Sequence, residues 1–188
     1  MTYREFYNQT LGENIAADQE LPYPIRKVTF EKGQVITAYG EIQQQVYFLN
    51  SGIVEMTIKS YMIEKVIDFF FEGSMFTALT SFLTQKPSDV QIVAVTHCEA
   101  EAINRNDLYQ SYETSLNANK MGRIILEGAY LKKAKREKDF LCKTAEELYA
   151  EMLHTHKAYV SNIPVNKIAK YLGIHPESLS RIRKKLSS

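Results

Sequence analysis

The chain has 188 residues with a formal net charge of +1, and 45% of them are hydrophobic, enough for the cores of one medium domain and one small domain. No stretch approaches the roughly 18 apolar residues of a membrane span, and the N-terminus lacks the apolar run of a signal peptide, so we expect a soluble cytoplasmic protein. Two widely separated cysteines, Cys98 and Cys142, fit reduced thiols better than a disulfide framework, and they are too few for a four-cysteine iron-sulfur cluster.

The charge is divided unevenly along the chain. Residues 1–107 hold 8 basic and 14 acidic residues, a net −6, whereas residues 108–188 hold 15 and 8, a net +7. From Pro164 onward, six basic side chains accompany Glu177 as the one acidic residue. Concentrated positive charge gives affinity for phosphate through counterion release, so this end of the chain predicts salt-sensitive binding to nucleic acid.

The sequence pattern changes from helical to strand-like within the first 107 residues. Residues 3–16 predict a short N-terminal helix with a polar face. From there to Asp107, short β-branched and aromatic runs are separated by single glycines, which predicts an antiparallel sandwich, roll or small barrel. The triplet Phe69-Phe70-Phe71 is interpreted as core and strand surface, with ligand stacking as the less favoured alternative.

An apolar stripe from Leu116 to Leu131 predicts a long helix after the strands. Gly122 and Gly128 would weaken it by about 1 kcal/mol each relative to Ala, so packing must compensate. The stripe would be covered by the chain's own β domain or by a second copy, and the sequence leaves both open. Thr144-Ala145-Glu146-Glu147 predicts a capping box that opens another helix, extending to about Leu153.

The stretch from Val165 to Lys184 predicts a helix-turn-helix. Ala169 is small where two steeply crossing helices would touch, and Gly173 is free to take positive φ in the turn. The apolar residues expected to face the crossing are Ile168, Leu172, Ile174, Leu179 and Ile182.

The limits and faces of the two helices are also predicted. Pro164 and Pro176 suit the first position of each helix, with His175 as the N-cap of the second. Helical spacing turns Leu179, Ile182 and Leu186 inward. The outer face, where a recognition helix would meet a major groove, then carries Glu177, Ser180, Arg181 and Lys184.

This order of domains resembles the CRP/FNR superfamily of bacterial transcription regulators. Turn and strand motifs continue the likeness over roughly residues 20–188, among them Gly40-Glu41, Tyr47-Phe48-Leu49-Asn50, Phe71-Glu72-Gly73-Ser74, Pro87-Ser88 and Thr144-Ala145-Glu146-Glu147. The resemblance implies an α+β fold with an N-terminal antiparallel β-roll, a cupin-like double-stranded β-helix, over 1–106. A long connecting dimerisation helix over 107–137 and a helix-turn-helix DNA-binding domain over 138–188 would follow.

The resemblance also implies a function. Members bind double-stranded DNA as homodimers on palindromic sites, with half-sites about 34–36 Å apart. The chain is therefore expected to be a sequence-specific transcription regulator, with RNA polymerase as a further partner to consider. The alternative is a ligand-sensing or adaptor protein that does not read DNA. The residues expected on the dimer helix are Leu116, Met121, Ile124, Ile125, Gly128 and Leu131.

Specific residues match the family's reading helix. By resemblance, Glu177 and Arg181 occupy two base-reading positions, where a carboxylate accepts from cytosine N4 and a guanidinium binds guanine O6 and N7. Pro176 replaces a third base-reading arginine, so the preferred half-site should differ. Further contacts to phosphates or base edges are expected from His175, Ser178 and Ser180, and contacts to phosphates from Lys184 and Lys185.

The ligand pocket departs from the family pattern. Nucleotide-binding members use a Gly-Glu-Leu segment for the ribose and an arginine for the cyclic phosphate. Here Ala78 stands at the carboxylate position and Ser88 at the arginine position, and Asp89 adds negative charge. Burying a phosphate without a guanidinium costs several kcal/mol, so cyclic AMP and cyclic GMP are not expected to bind in the usual way, and any other effector is open. The pocket residues expected from the resemblance are Phe71, Gly73, Thr77, Ala78, Leu79, Ser88 and Asp89.

The sequence offers little for catalysis. His97 is the single histidine of the β region, so a strand-borne metal site would lack ligands. A zinc site formed by His154, His156 and Cys142 is a less favoured alternative. We find no serine-histidine-aspartate motif, phosphate-binding glycine loop or catalytic carboxylate pair, and we expect neither an enzyme nor a metalloprotein.

Overall fold

The computed structural model describes residues 1–60 and 63–186. A short helix comes first, eight strands enclosing one further short helix follow, and five helices complete the described part of the chain. The elements are α1 (Tyr3–Leu11), β1 (Arg26–Phe30), β2 (Val35–Thr37), β3 (Gln45–Ser51), β4 (Ile53–Ser60), β5 (Ile63–Phe71), β6 (Met75–Phe76), α2 (Leu79–Thr84), β7 (Val90–Ala94), β8 (Cys98–Asn104), α3 (Arg105–Thr114), α4 (Leu116–Cys142), α5 (Ala145–Val160), α6 (Val165–Leu172) and α7 (Pro176–Leu186).

The strands form two antiparallel four-stranded sheets, with the orders β1-β8-β3-β6 and β2-β7-β4-β5. Between β3 and β8, Tyr47 lies opposite Ala102 and Leu49 opposite Ala100, so large and small side chains face each other. Both sheets contribute to one apolar core, which confirms the predicted β-roll; its buried members include Phe30, Tyr47, Leu49, Val54, Phe76, Ile92, Ala94 and Cys98.

The N-terminal helix is shorter than the predicted 3–16. It ends at Leu11, because Gly12 takes a left-handed conformation that closes the helix. A capping box between Thr2 and Glu5 fixes its start. Its buried Tyr3 and Tyr7 pack with residues of β3, β8, α2, α3 and α4, so α1 joins the β-roll to the start of the long helix.

The predicted long segment from residue 107 is divided into two helices. α3 ends at Thr114, and the hydroxyl of Ser115 accepts from the Ala118 N–H to begin α4. α4 continues past the predicted limit of 137 to Cys142. Its first turns pack on the chain's own core, whereas the side chains of residues 126–135 are all exposed.

The helices after α4 largely follow the sequence prediction. The capping box of Thr144 and Glu147 opens α5 as expected, but α5 continues past Leu153 to Val160 across a non-helical residue, His156 (φ −133°, ψ 34°). Pro164 is the N-cap of α6, not its first residue, whereas Pro176 begins α7 as predicted. None of the helices in the described residues is long and apolar enough to cross a membrane.

The helix-turn-helix packs directly on the β-roll. A single apolar cluster joins Ile53, Phe69 and Phe71 of the roll to α5, α6 and α7. Phe70 lies on the opposite face of β5 and packs against the sandwich core. The triplet is therefore core, as its favoured interpretation predicted. We call the junction of β4 and β5 with α6 the seam.

Candidate nucleic-acid interface

The two helices of the helix-turn-helix cross as the sequence predicted. Ala169 is buried at the crossing, and its carbonyl accepts from the N–H groups of both Gly173 and Ile174. Gly173 has φ +71°, the conformation that the turn requires. All five apolar residues that were expected to face the crossing pack in the apolar cluster there, namely Ile168, Leu172, Ile174, Leu179 and Ile182.

The outer face of α7 is open to solvent. Its start is fixed by the carbonyl of His175, which accepts from Ser178 and Leu179 at 3.0 and 3.2 Å. All four residues predicted for this face are exposed there, namely Glu177, Ser180, Arg181 and Lys184. The prediction for Leu186 is wrong: its side chain is 42% exposed, because α7 extends a full turn past the apolar cluster.

Predicted polar residues of α7 also have partners within the protein. The Ser180 hydroxyl donates to the Pro176 carbonyl at 3.0 Å, which leaves its oxygen as an acceptor. Lys185 forms an exposed ion pair with Glu146 at 2.8 Å, on the side of α7 that faces α5. His175 and Ser178 are exposed at the start of α7. Their roles toward DNA stay predictions.

Arg183 is a residue of this helix that the sequence reasoning did not single out. Its Nε donates to the Tyr149 hydroxyl of α5 at 3.0 Å, and its guanidinium lies 5.6 Å from the centre of that ring. Tyr149 is buried, so this contact fixes α7 to α5. Spacing of four residues from buried Leu179 places Arg183 toward the inner face, and that spacing would have identified it.

The predicted dimer-helix residues fall into two groups. Met121 is fully buried in the chain's own core and Ile124 and Ile125 pack against that core, so Met121 is not available to a partner. Leu116, Gly128 and Leu131 are exposed. The exposed part of the helix also carries Leu126 and Tyr130, which were not among the predicted residues.

The predicted pocket residues do not form one site. Phe71 lies outside the sandwich, stacked on His156 with 4.1 Å between ring centres, and Gly73 follows in the next turn. Ala78 is buried in the sandwich core, Thr77 donates to the Gln45 carbonyl at 2.8 Å, and Leu79 opens α2.

The remaining pocket positions offer no cation. The buried Ser88 hydroxyl donates to the Val90 carbonyl at 2.8 Å, and Asp89 is exposed. Apolar side chains occupy the sandwich core, and Tyr47 is stacked there on Phe76 with 5.0 Å between ring centres. Two surface clefts of 440 and 320 Å³ lie outside it, one beside α1 and β1 and one between α3 and α4. Among the described residues, no three His, Cys, Asp or Glu side chains are grouped as metal ligands.

His156 predicts a pH dependence of stability. Burial, and to a smaller extent Lys132, lower the pKa of His156, against a smaller opposite effect of Asp68. The unfolded chain then binds a proton first, so the free energy of unfolding should fall as pH drops below about 6.5 and continue to fall until His156 also titrates in the folded state.

His156→Gln should reduce this slope in denaturant titrations performed from pH 7.5 to pH 5, with His154→Gln, an exposed histidine of the same helix, as the control. A slope that His156→Gln leaves unchanged would assign the pH dependence to other groups.

The chain is similar to known proteins in both sequence and fold. Residues 27–115 match the family model of the cyclic nucleotide-binding domain. FixK2 from Bradyrhizobium japonicum is 18% identical with a TM-score of 0.74, and the match covers 87% of this chain and 85% of that one. A putative transcriptional regulator of the crp/fnr family from Eubacterium rectale is 15% identical with a TM-score of 0.70, covering 87% and 78%.

A third solved structure is similar over the same extent. CLP from Xanthomonas campestris, described as a c-di-GMP responsive global regulator, is 18% identical with a TM-score of 0.67, covering 87% of this chain and 86% of that one. At these identities the likeness shows a common fold. No curated protein matches this chain significantly.

Proposed function

We propose that this chain, which carries a cyclic nucleotide-binding domain over residues 27–115 and has the fold of CRP/FNR regulators, is a sequence-specific DNA-binding transcription regulator. The observation that supports this most directly is the outer face of α7. Its exposed Glu177, Ser180, Arg181 and Lys184 follow one helical face on a helix anchored from behind by Leu179 and Arg183. A guanidinium and a carboxylate on such a face can bind guanine and cytosine edges in a major groove.

The proposed regulator acts as a homodimer through α4. Residues 126–135 form almost three turns with every side chain exposed, including Tyr130 at 70% and Leu131 at 65%. The apolar Leu126, Tyr130 and Leu131 gain nothing from burial within the chain, and Gly128 weakens the helix further. A second copy of α4 would cover these side chains and bring two α7 helices to one palindromic site.

Selection of bound duplexes from a random DNA pool, at two salt concentrations, tests the proposal. Recovery of a palindrome with half-sites about one helical turn apart is the expected result. Retention that is sensitive to salt but independent of sequence would contradict it, because charge alone binds DNA without reading bases.

We further propose that cyclic AMP and cyclic GMP are not effectors in the usual binding mode. The position expected to neutralise the phosphate carries Ser88, whose hydroxyl is already bonded to Val90, and Ala78 is packed in the core. Calorimetric titration of either nucleotide is expected to show no binding at micromolar concentrations, because a buried phosphate would lack its guanidinium partner. A micromolar dissociation constant would contradict this proposal and leave the DNA-binding proposal standing.

A further inference from the structure

The seam contains an ion pair between a buried carboxylate of the β-roll and a partly exposed lysine of the helix-turn-helix. Glu55 lies on β4, paired between β5 and β7, and is only 3% exposed. Its Oε1 atom accepts from the Nζ of Lys167 on α6. This contact joins residues 112 positions apart and links the β-roll to the first helix of the helix-turn-helix.

The pair is poorly suited to stabilising the fold. Among the described residues, Glu55 Oε2 has no hydrogen-bond partner although it is buried. Taking the carboxylate out of water costs free energy that the attraction of Lys167 offsets only when the remaining polar atoms of Glu55 are bonded. The apolar side of the seam, where Phe69 contacts Tyr171 with 5.5 Å between ring centres and Ile168 is fully buried, supplies the favourable burial.

Apolar contacts and buried charges differ in what they specify. The hydrophobic effect has no direction, so α6 could shift on β5 at little cost if only apolar surfaces met. A buried carboxylate, by contrast, must stay opposite its ammonium group, because any shift leaves a desolvated charge unpaired. The pair therefore selects one arrangement of α6 on the roll.

We propose that Glu55 is a positioning residue for DNA reading, which holds the helix-turn-helix at one orientation on the β-roll through Lys167. This inference rests on the proposed function. The two α7 helices of a dimer must reach half-sites at a fixed spacing of about 34–36 Å. The orientation of each helix-turn-helix on its β-roll therefore determines whether both α7 helices can bind. Because Glu55 is buried on the β-roll, it does not touch DNA itself and affects DNA binding through its contact with Lys167 of α6.

A second ion pair across the seam serves as the control. Lys170 of α6 binds Glu64 of β5 at 3.0 Å, and both side chains are about one third or more exposed. Exposed pairs contribute little, because water and salt screen them. Glu55→Gln is expected to weaken binding to the selected palindrome about tenfold with little change for unrelated DNA, whereas Glu64→Gln should leave both affinities within about twofold of the parent protein.

Substitution of Lys167 distinguishes a positioning role from direct contact with DNA phosphates. If both residues act through the pair, Glu55→Gln combined with Lys167→Gln should lose no more affinity than the larger of the single effects. Additive losses would assign Lys167 to DNA directly. Hydrogen exchange of the α6 amides gives a readout that needs no DNA, and Glu55→Gln and Lys167→Gln should each speed it while Glu64→Gln does not.

The outcomes distinguish the two proposals. Equal operator affinity and equal α6 exchange in Glu55→Gln and the parent protein would overturn the positioning role and leave the regulator proposal intact. If the parent protein selects no DNA sequence, the regulator proposal fails, and the orienting contact is judged by α6 exchange alone. If Glu55→Gln does not fold, the double variant Glu55→Gln/Lys167→Gln provides the same comparison, because it leaves neither a buried carboxylate nor an ammonium group without its partner.

Discussion

Replacing Arg181 by alanine is expected to weaken sequence-specific DNA binding at least about 30-fold without altering the fold. Arg181 is exposed on the outer face of α7, away from buried Leu179. A bidentate contact from a guanidinium to guanine contributes about 1–3 kcal/mol of discrimination, and both subunits of a dimer would lose it. Affinity for the selected operator should therefore fall between about 30-fold and about 10⁴-fold.

Titration of labelled operator and of unrelated duplex measures this effect. Binding to unrelated DNA should weaken far less, since the other basic groups of the helix-turn-helix remain. Arg26→Ala removes the same charge from exposed strand β1 and should leave operator affinity unchanged. Unaltered preference for the operator in Arg181→Ala would show that this residue does not read bases.

The helix-turn-helix could be predicted from the sequence because its determinants are local. The turn conformation of Gly173, the start of α7 at Pro176 and the burial of Leu179 all follow from residues within one short stretch. The inward role predicted for Leu186 was wrong, because periodicity continues past the point where the apolar cluster ends. The spacing of residues indicates which of them lie on one face of a helix. Tertiary packing determines how much of the length of that face is buried.

The seam could not be predicted, because it joins distant parts of the chain. In the sequence, Glu55 is an ordinary polar residue of a predicted strand. Lys167 is an ordinary polar residue of a predicted helix. Their pairing depends on which sheet α6 covers, and local patterns do not contain that information. The strands predicted a roll, but the position of Phe71 outside the sandwich, against His156, follows only from the placement of α5.

The long helix shows the same division between local and distant information. Helical spacing predicted one apolar stripe from Leu116 to Leu131 and left open what would cover it. The structure gives two answers, because Met121 packs in the chain's own core with residues of α1 and α3, whereas Tyr130 and Leu131 are exposed. The buried part of α4 is covered by α1, α3 and the β-roll, and the stripe itself holds no information on where that cover ends.

Gly52→Ala is expected to destabilise the β-roll by about 2–5 kcal/mol. Gly52 lies between β3 and β4 with φ +102°, and a Cβ atom there would lie 2.5 Å from the His97 carbonyl oxygen and 2.7 Å from Cys98 Sγ. The backbone conformation costs an alanine about 1–2 kcal/mol, and overpacking a closed site adds about 1–3 kcal/mol. Urea denaturation at fixed protein concentration should show a lower midpoint with an unchanged slope.

Gly33→Ala separates the two causes of this loss. Gly33 has φ +84° in another turn of the roll, and an added Cβ would meet nothing within 4 Å. Its substitution should therefore carry the conformational cost alone, about 1–2 kcal/mol. Equal losses at both positions would show that β8 yields to the added methyl group. A larger loss at Gly52 would show that the backbone of His97 and Cys98 is rigid where the two sheets meet, since a closely packed core cannot absorb one more carbon without moving its neighbours.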